Sequence, residues 1–398
     1  MNNLQDTIMN YMSTAPYILK LYYDFGFIIA GYGFVSIPAQ IDAIIKVNTE
    51  GDKVEIKMTH FLIQEKADLK YTSDIDINSD FLTNLKDELE ALAFEKSLIE
   101  EESAKTNLHR LYTSLIGGEI REFLEKNYKK IKTIWIDCNI EEINPFWELL
   151  YVNLGPDKSF FWGDQFAIAR VPTSYKSGKK ARSEKKMSGW EIFKVFNELT
   201  IKLTQHSPQS IAEVEIKVNG KVKVGLIKLG ESQSMKDEKK YFNENNGFEV
   251  IEVIESASDI SKIDGKVFDI LHFIAHHEEG NLESHVDIID FKDLNMRTPD
   301  CIHVVFFNAC RSEVEVTPTG DCGGQKLAHQ DCFRNKKAWI GTHLKVGEET
   351  ARNFVENFYN QFLLGESIAK SAKEARKNNN NIMRLFYTVY GWPFTRLV

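Results

Sequence analysis

Phe268-Asp269-Ile270-Leu271-His272-Phe273-Ile274-Ala275-His276 and Ile302-His303-Val304-Val305-Phe306-Phe307-Asn308-Ala309-Cys310 are the two stretches whose reading decides the fold. Each is a short apolar run, and the pattern predicts two buried strands, Phe268–Ala275 and Ile302–Ala309. A reactive side chain follows each at once, His276 the first and Cys310 the second. In an open α/β sheet the ligand crevice lies outside the carboxyl ends of the strands, so residues placed this way share one mouth. A thiol attacks as its thiolate and needs a neighbouring imidazole to take its proton, which makes Cys310 and His276 a candidate nucleophile and base.

Outward from these strands the alternation is regular. Before them come a strand at Val222–Leu229, a helix at Lys236–Asn245, a strand at Phe248–Ile254 and a short helix at Ser258–Ile263. Asp290–Met296 reads as a connection or helix. After Cys310 come a glycine-containing loop, a helix at Gln325–Phe333, a strand at Ala338–Gly341 and a long helix at Glu348–Leu364. Asn378–Asn381 then marks a loop before a last strand, Phe386–Tyr390. Strands separated by helices mean an α/β fold with a mostly parallel sheet and helices on its faces.

The upstream half is less regular. Residues 1–50 begin with a helix, and Tyr22–Phe27 is aromatic and glycine-rich, either strand or tight packing. Lys53–Lys70 has the two-residue period of a half-exposed strand. Phe81–Glu101 reads as a helix capped by Ser79 or Asp80, with Leu82, Leu85, Leu89 and Leu92 on one face and a solvated acidic stripe at Glu95–Glu102. A second helix spans Leu108–Tyr128, and Ile131–Cys138 is a buried strand. A helix capped by Asn144 with Pro145 at its first position follows, and Phe166–Pro172 is a further strand. Ser174–Gly189 carries Lys176, Lys179, Lys180, Arg182, Lys185 and Lys186 with almost nothing apolar, and reads as an exposed connector or a cleavage loop.

A chain of 398 residues has room for about two to three domains. Its net charge of -9 argues against direct nucleic-acid binding, whose footprint is basic, and points to a protein partner. Five cysteines are too few and odd in number for a disulfide framework, which suggests a reducing cytoplasm. Met1–Thr14 lacks the layout of a secretory signal. The longest uncharged run, Phe25–Ile41, has 17 residues and several glycines, short of the roughly 20 apolar residues of a membrane helix. A peripheral membrane role for that run is an alternative that liposome flotation would test. His272 reads as a packed, hydrogen-bonded core histidine. His272, His276 and His277, or Cys322, His329 and Cys332, suggest zinc, but neither set supplies four ligands at paired spacings, so no metal and no cofactor is expected. Gly320, Gly323 and Gly324 precede no G-K-[ST] and form no phosphate loop.

Asn308-Ala309-Cys310-Arg311-Ser312 is similar to the caspase cysteine signature, with His276 upstream by 34 residues (310 − 276). The longer pattern resembles the CHAT domain, the caspase- and separase-like proteases of bacteria. Leu271–His276 resembles its histidine motif and Asn308-Ala309-Cys310 its cysteine motif. Ile340–Val346 is similar to its next strand, Phe354–Arg376 to its following helices, and Asn144–Leu150 to the P-W-E-L-L segment of its inactive first lobe. The resemblance covers about residues 50–398.

That resemblance implies a caspase-like sheet preceded by an inactive lobe, with residues 1–105 as an N-terminal region, 106–189 as the inactive lobe and basic linker, and 190–398 as the catalytic lobe. It implies Cys310 as nucleophile, His276 as base, and the backbone N–H groups of Cys310 and His277 as oxyanion donors. The family writes glycine where His277 stands. By the same resemblance Leu344 occupies the place of a family tryptophan, and Glu348, together with Asp321, receives an Arg or Lys side chain before the scissile bond. A cytoplasmic endopeptidase of bacterial stress or antiphage defence is implied. It would be switched on by a separate sensor docking on residues 1–105, with a toxin-like or pore-forming effector as substrate. The alternative is a caspase-like scaffold that recruits a partner without cutting it.

Overall fold

The computed structural model describes residues 42–50, 53–60, 68–73, 80–95, 98–138, 146–155, 158–172, 215–263, 265–278, 303–308, 338–378, 381–391 and 393–398, with strands also at 27–30, 33–36, 281–283 and 288–290. Cys310, Asp321, the expected helix at Gln325–Phe333 and the basic stretch Ser174–Gly189 lie outside the described residues, as do the side chains of His276 and His277.

In the upstream half, β1 (Phe27–Ala30) and β2 (Gly33–Ser36) pair as an antiparallel hairpin. β3 (Ala43–Glu50), β4 (Lys53–His60) and β5 (Asp68–Ser73) form an antiparallel meander. The single strand expected over Lys53–Lys70 is therefore two, and Val54, Ile56 and Met58 of β4 turn one face inward. The helices α1 (Asp80–Glu95), α2 (Leu98–Leu115) and α3 (Gly118–Asn127) follow. Leu85 and Leu89 of α1 are buried as their spacing predicts. The helix expected over Leu108–Tyr128 is broken at Gly117, where a Cβ would run into the Tyr71 ring, and at Gly118, whose φ of 54° suits glycine.

β6 (Thr133–Cys138) precedes a 3-10 turn at Trp147–Leu149, where a longer helix was expected. Its three residues are all buried, so no face is left for an amphipathic helix to show to water. β7 (Tyr151–Val152), β8 (Phe160–Phe161), the single turn α4 (Trp162–Gln165) and β9 (Ala167–Pro172) complete this half.

The downstream half runs β10 (Glu215–Ile216), β11 (Val222–Leu229), α5 (Gln233–Glu244), β12 (Phe248–Ile254), a 3-10 helix at Ala257–Ile263 and β13 (Ile270–Glu278). β14 (Asn281–Glu283), β15 (Ile288–Asp290), β16 (Val304–Asn308) and β17 (Ala338–Thr342) follow. Then come α6 (Glu348–Leu363), α7 (Ile368–Lys377), a 3-10 helix at Ile382–Phe386, β18 (Tyr387–Gly391) and β19 (Arg396–Leu397).

One mixed sheet spans both halves in the order β12-β11-β13-β16-β17-β18-β9-β6-β3-β4-β5. The neighbours from β12 to β17 are parallel, as are β18–β9, β9–β6 and β6–β3, while β17–β18 and the β3–β4–β5 meander are antiparallel. β16 and β17 are buried at every position, the mark of parallel strands covered on both faces. Ridges of α5 and α6 cover one face, where Phe242, Phe354, Phe358 and Tyr359 pack on His272 and Phe306. The halves meet at β18–β9, which share the single ladder pair Tyr390↔Arg170. No described helix is long and apolar enough to cross a membrane.

Candidate active-site cleft

The ladder between β13 and β16 sets the geometry. Its parallel register ends at Ile274↔Asn308. His276 was expected just past its strand; instead β13 continues to Glu278 and folds back on β14, with His276 opposite Glu283 and His277 opposite Leu282. The ladder to β16 ends at Ile274, the parallel ladder to β11 runs one residue further to Leu229↔Ala275, and the antiparallel pairing with β14 begins at His276. His276 therefore stands where the antiparallel pairing begins, and His277 lies in extended strand backbone. Cys310, outside the described residues, follows Asn308 by two positions, as His276 follows Ile274.

A cleft opens at the carboxyl ends of these strands, bordered by Ala275, Asn308 and Thr342 from the sheet, by Ser234 and Glu238 from the first two turns of α5, and by Glu348 at the start of α6. Ser232 caps α5 by accepting from the Met235 N–H. The Ser234 hydroxyl donates to the Glu348 carbonyl at 2.9 Å, and Arg352 reaches Asp237 at 3.1 Å, so the two helices are tied together along the cleft rim. Glu348 is exposed at the first position of α6, where a carboxylate also suits the helix dipole. Leu344 is fully buried.

Beneath the cleft lies a buried polar network. His272 Nε2 is 2.6 Å from Glu238 Oε1 and its Nδ1 is 3.0 Å from the Tyr359 hydroxyl. Asn308 Nδ2 donates to Glu238 Oε2 at 2.6 Å, and the Tyr387 hydroxyl donates to Asn308 Oδ1 at 2.5 Å. Burial, and after it the Glu238 charge, holds the Tyr359 hydroxyl well above its ordinary range. His272 is thus the packed, hydrogen-bonded core histidine that its place in the strand predicts. Glu238 escaped the sequence reading, although its spacing carried a signal. Met235, Glu238 and Phe242 fall at i, i+3 and i+7 and are all buried, so this carboxylate sits in an apolar stripe.

Among the described residues no group of three or more His, Cys, Asp or Glu side chains is placed to hold a metal ion, and Cys322, His329 and Cys332 lie outside them.

No protein-family model and no curated protein sequence matches the chain. Its fold is similar to that of a chain in the Saccharomyces cerevisiae separase–securin complex. The TM-score is 0.56 at 10% identity, over 90% of this chain and 30% of that one. A second structure of the same complex gives 0.53 at 10% identity, over 90% and 31%. A structure described as a protease gives 0.42 at 11% identity, over 76% of each chain. The architecture is thus an α/β fold, a mostly parallel mixed sheet flanked by helices, similar to the separase caspase-like domain. The chain spans about three tenths of the length of the separase-complex chains it matches.

Proposed function

We propose that the protein is a cysteine endopeptidase of the CHAT branch of the caspase- and separase-like clan, with Cys310 as nucleophile and His276 as base. The observation that carries this reading is the β13–β16 register, since each of the two residues follows the last parallel pair, Ile274↔Asn308, by two positions. His276 takes the Cys310 thiol proton, and the thiolate attacks the scissile carbonyl carbon. The oxyanion is held by the N–H groups of Cys310 and His277. The C–N bond breaks as His276 returns the proton to the leaving amine, and water then hydrolyses the thioester. Glu348, with Asp321, favours Arg or Lys on the amino side of the cut. The cell role we assign is cytoplasmic bacterial stress or antiphage defence, with a sensor protein docking on residues 1–105 and a toxin-like or pore-forming effector as substrate. A separase–securin complex among the matching structures supports a protein partner.

The rival reading is a scaffold that binds without cutting, favoured by His277 in the place of the family's glycine. Mass spectrometry of a random peptide library separates the two. The expected result is cutting by the wild type in the presence of its activating sensor protein and none by Cys310→Ala. Arg or Lys is expected before the cut, and Glu348→Gln should weaken that preference on the order of tenfold, or about 1.4 kcal/mol. Cuts after Asp or apolar residues, equal in wild type and Glu348→Gln, would remove Glu348 from the specificity site. Absence of any Cys310-dependent cut, together with no labelling of Cys310 by an activated-carbonyl peptide probe, favours the scaffold.

A further inference from the structure

We propose that Glu238 is the positioning residue of the cleft: its two carboxylate oxygens clamp β13 through His272 and β16 through Asn308, holding the segments that run on to His276 and Cys310 at a fixed spacing. This rests on the dyad reading above. Glu238 Oε1 takes His272, four residues before His276, and Oε2 takes Asn308, two residues before Cys310. The carboxylate belongs to neither strand. It is carried by α5, which is itself tied to α6 at the cleft rim.

The hydrogen-bond directions agree. Because the Glu238 carboxylate accepts, the proton is assigned to His272 Nε2, and in that tautomer Nδ1 accepts from the Tyr359 hydroxyl. The Tyr387 hydroxyl donates to Asn308 Oδ1, and Asn308 Nδ2–H donates to Glu238. Both donor chains end on one buried negative charge, and charge-assisted bonds of this kind are strong and geometrically selective. Filling this space with apolar side chains would satisfy packing without any desolvation cost, so stability alone does not call for a carboxylate here. Glu238 also borders the cleft. With both oxygens engaged it is a clamp and not a receptor, which leaves Glu348 as the described cleft carboxylate open to a substrate cation.

The test is the pH dependence of Cys310 alkylation by iodoacetamide, followed by mass spectrometry in the full-length chain, with circular dichroism as the check on folding. It needs no peptide cleavage. In the wild type a correctly placed imidazolium keeps Cys310 reactive at pH 6, and His276→Ala should cost on the order of tenfold there. Glu238→Gln should show a similar loss, because the Gln amide donor now opposes the Asn308 donor. Removing a nearby negative charge without moving the dyad would push the rate the other way, towards more thiolate. Asn308→Asp, which sets two carboxylates face to face, should also lose the pH 6 reactivity. The double variant Glu238→Gln/Asn308→Asp restores every match. The Gln oxygen accepts from His272, the Gln amide donates to one oxygen of the carboxylate introduced at position 308, and Tyr387 donates to the other. It should recover most of the wild-type rate.

A Glu238→Gln profile equal to or faster than wild type overturns the clamp, and so does a double variant as slow as the single ones. If His276→Ala leaves the wild-type profile unchanged, the dyad itself fails, and the clamp falls with it by a separate route.

Discussion

Replacing Glu148 with alanine is expected to destabilise the protein by about 3–5 kcal/mol, the usual loss when one partner of a buried ion cluster is removed. Glu148 is 1% exposed and sits in the 3-10 turn at Trp147–Leu149. Its Oε2 bonds the guanidinium of Arg170 on β9, and its Oε1 lies 3.8 Å from that of Arg376 on α7. Both arginines are fully buried. Burial pulls the Arg376 guanidinium down from its ordinary range, and the Glu148 charge, followed by that of Asp164, draws it back up. Without Glu148 two cations would face each other in a space closed to water. Arg170 also bonds His343, next after the cleft residue Thr342, so the disturbance reaches β17 as well as the upstream half. Urea denaturation measures the loss, and Glu148→Gln should show most of it, because charge and not shape is what the arginines need. A change under about 1 kcal/mol for both variants would mean that the cluster is not holding the halves together.

Phe306→Ala should cost a similar amount, about 3–5 kcal/mol, as expected for a large aromatic removed from a closed core. Phe306 is fully buried in the middle of β16. Its ring meets His272 at 4.9 Å, Phe358 at 5.3 Å, Tyr359 at 5.5 Å and Tyr387 at 6.1 Å between centroids. Three of those rings, His272, Tyr359 and Tyr387, belong to the Glu238 network, so the cavity would open directly under the clamp. Phe306→Leu, which keeps much of the volume, should cost under about 2 kcal/mol. Thermal melting separates the two. Equal losses would argue against packing as the source, and a loss near zero for alanine would show that the site collapses freely.

The parts of this fold legible in the sequence are those whose signal is local. β16 and β17 are apolar runs, β11 and β12 are apolar strands carrying two lysines and two glutamates respectively, and each falls within a residue or two of its expected span. α6 is similarly clear, starting at Glu348 and ending one residue before the expected limit. Illegible were features that depend on distant residues. The break between α2 and α3 had a local signal in Gly117-Gly118, and what the sequence did not reveal is that the Tyr71 ring of β5 fills the space beside Gly117. The run-on of β13 past His276 depends on β14, whose Asn281–Glu283 carries no strand-like apolar alternation of its own. Glu238 looked like one polar residue among several on a helix, and its partners lie 34 and 70 residues away. Glu148 lay inside a motif whose apolar residues drew the reading, yet in this fold it is the charge at the centre of a two-arginine cluster.

The seam between β18 and β9 bears on how the protein can be taken apart. In the described sheet β3, β4, β5, β6 and β9 lie on one side of it and β11, β12, β13, β16, β17 and β18 on the other. The chain passes between the two sides once, after Pro172 and before Glu215. A polypeptide severed in that interval gives two fragments that each keep all of their own strand pairing and give up one ladder rung, Tyr390↔Arg170. Their reunion then becomes a binding reaction, governed by concentration. The contacts it would remake include the Glu148 cluster, the Arg384–Asp164 ion pair at 2.6 Å, the Phe146 and His343 rings, and the Arg170 guanidinium over the Tyr390 ring at 5.6 Å. Every described residue bordering the cleft lies on the downstream fragment, so a cut along this line would make the support beneath the cleft, and not its lining, conditional on a second molecule.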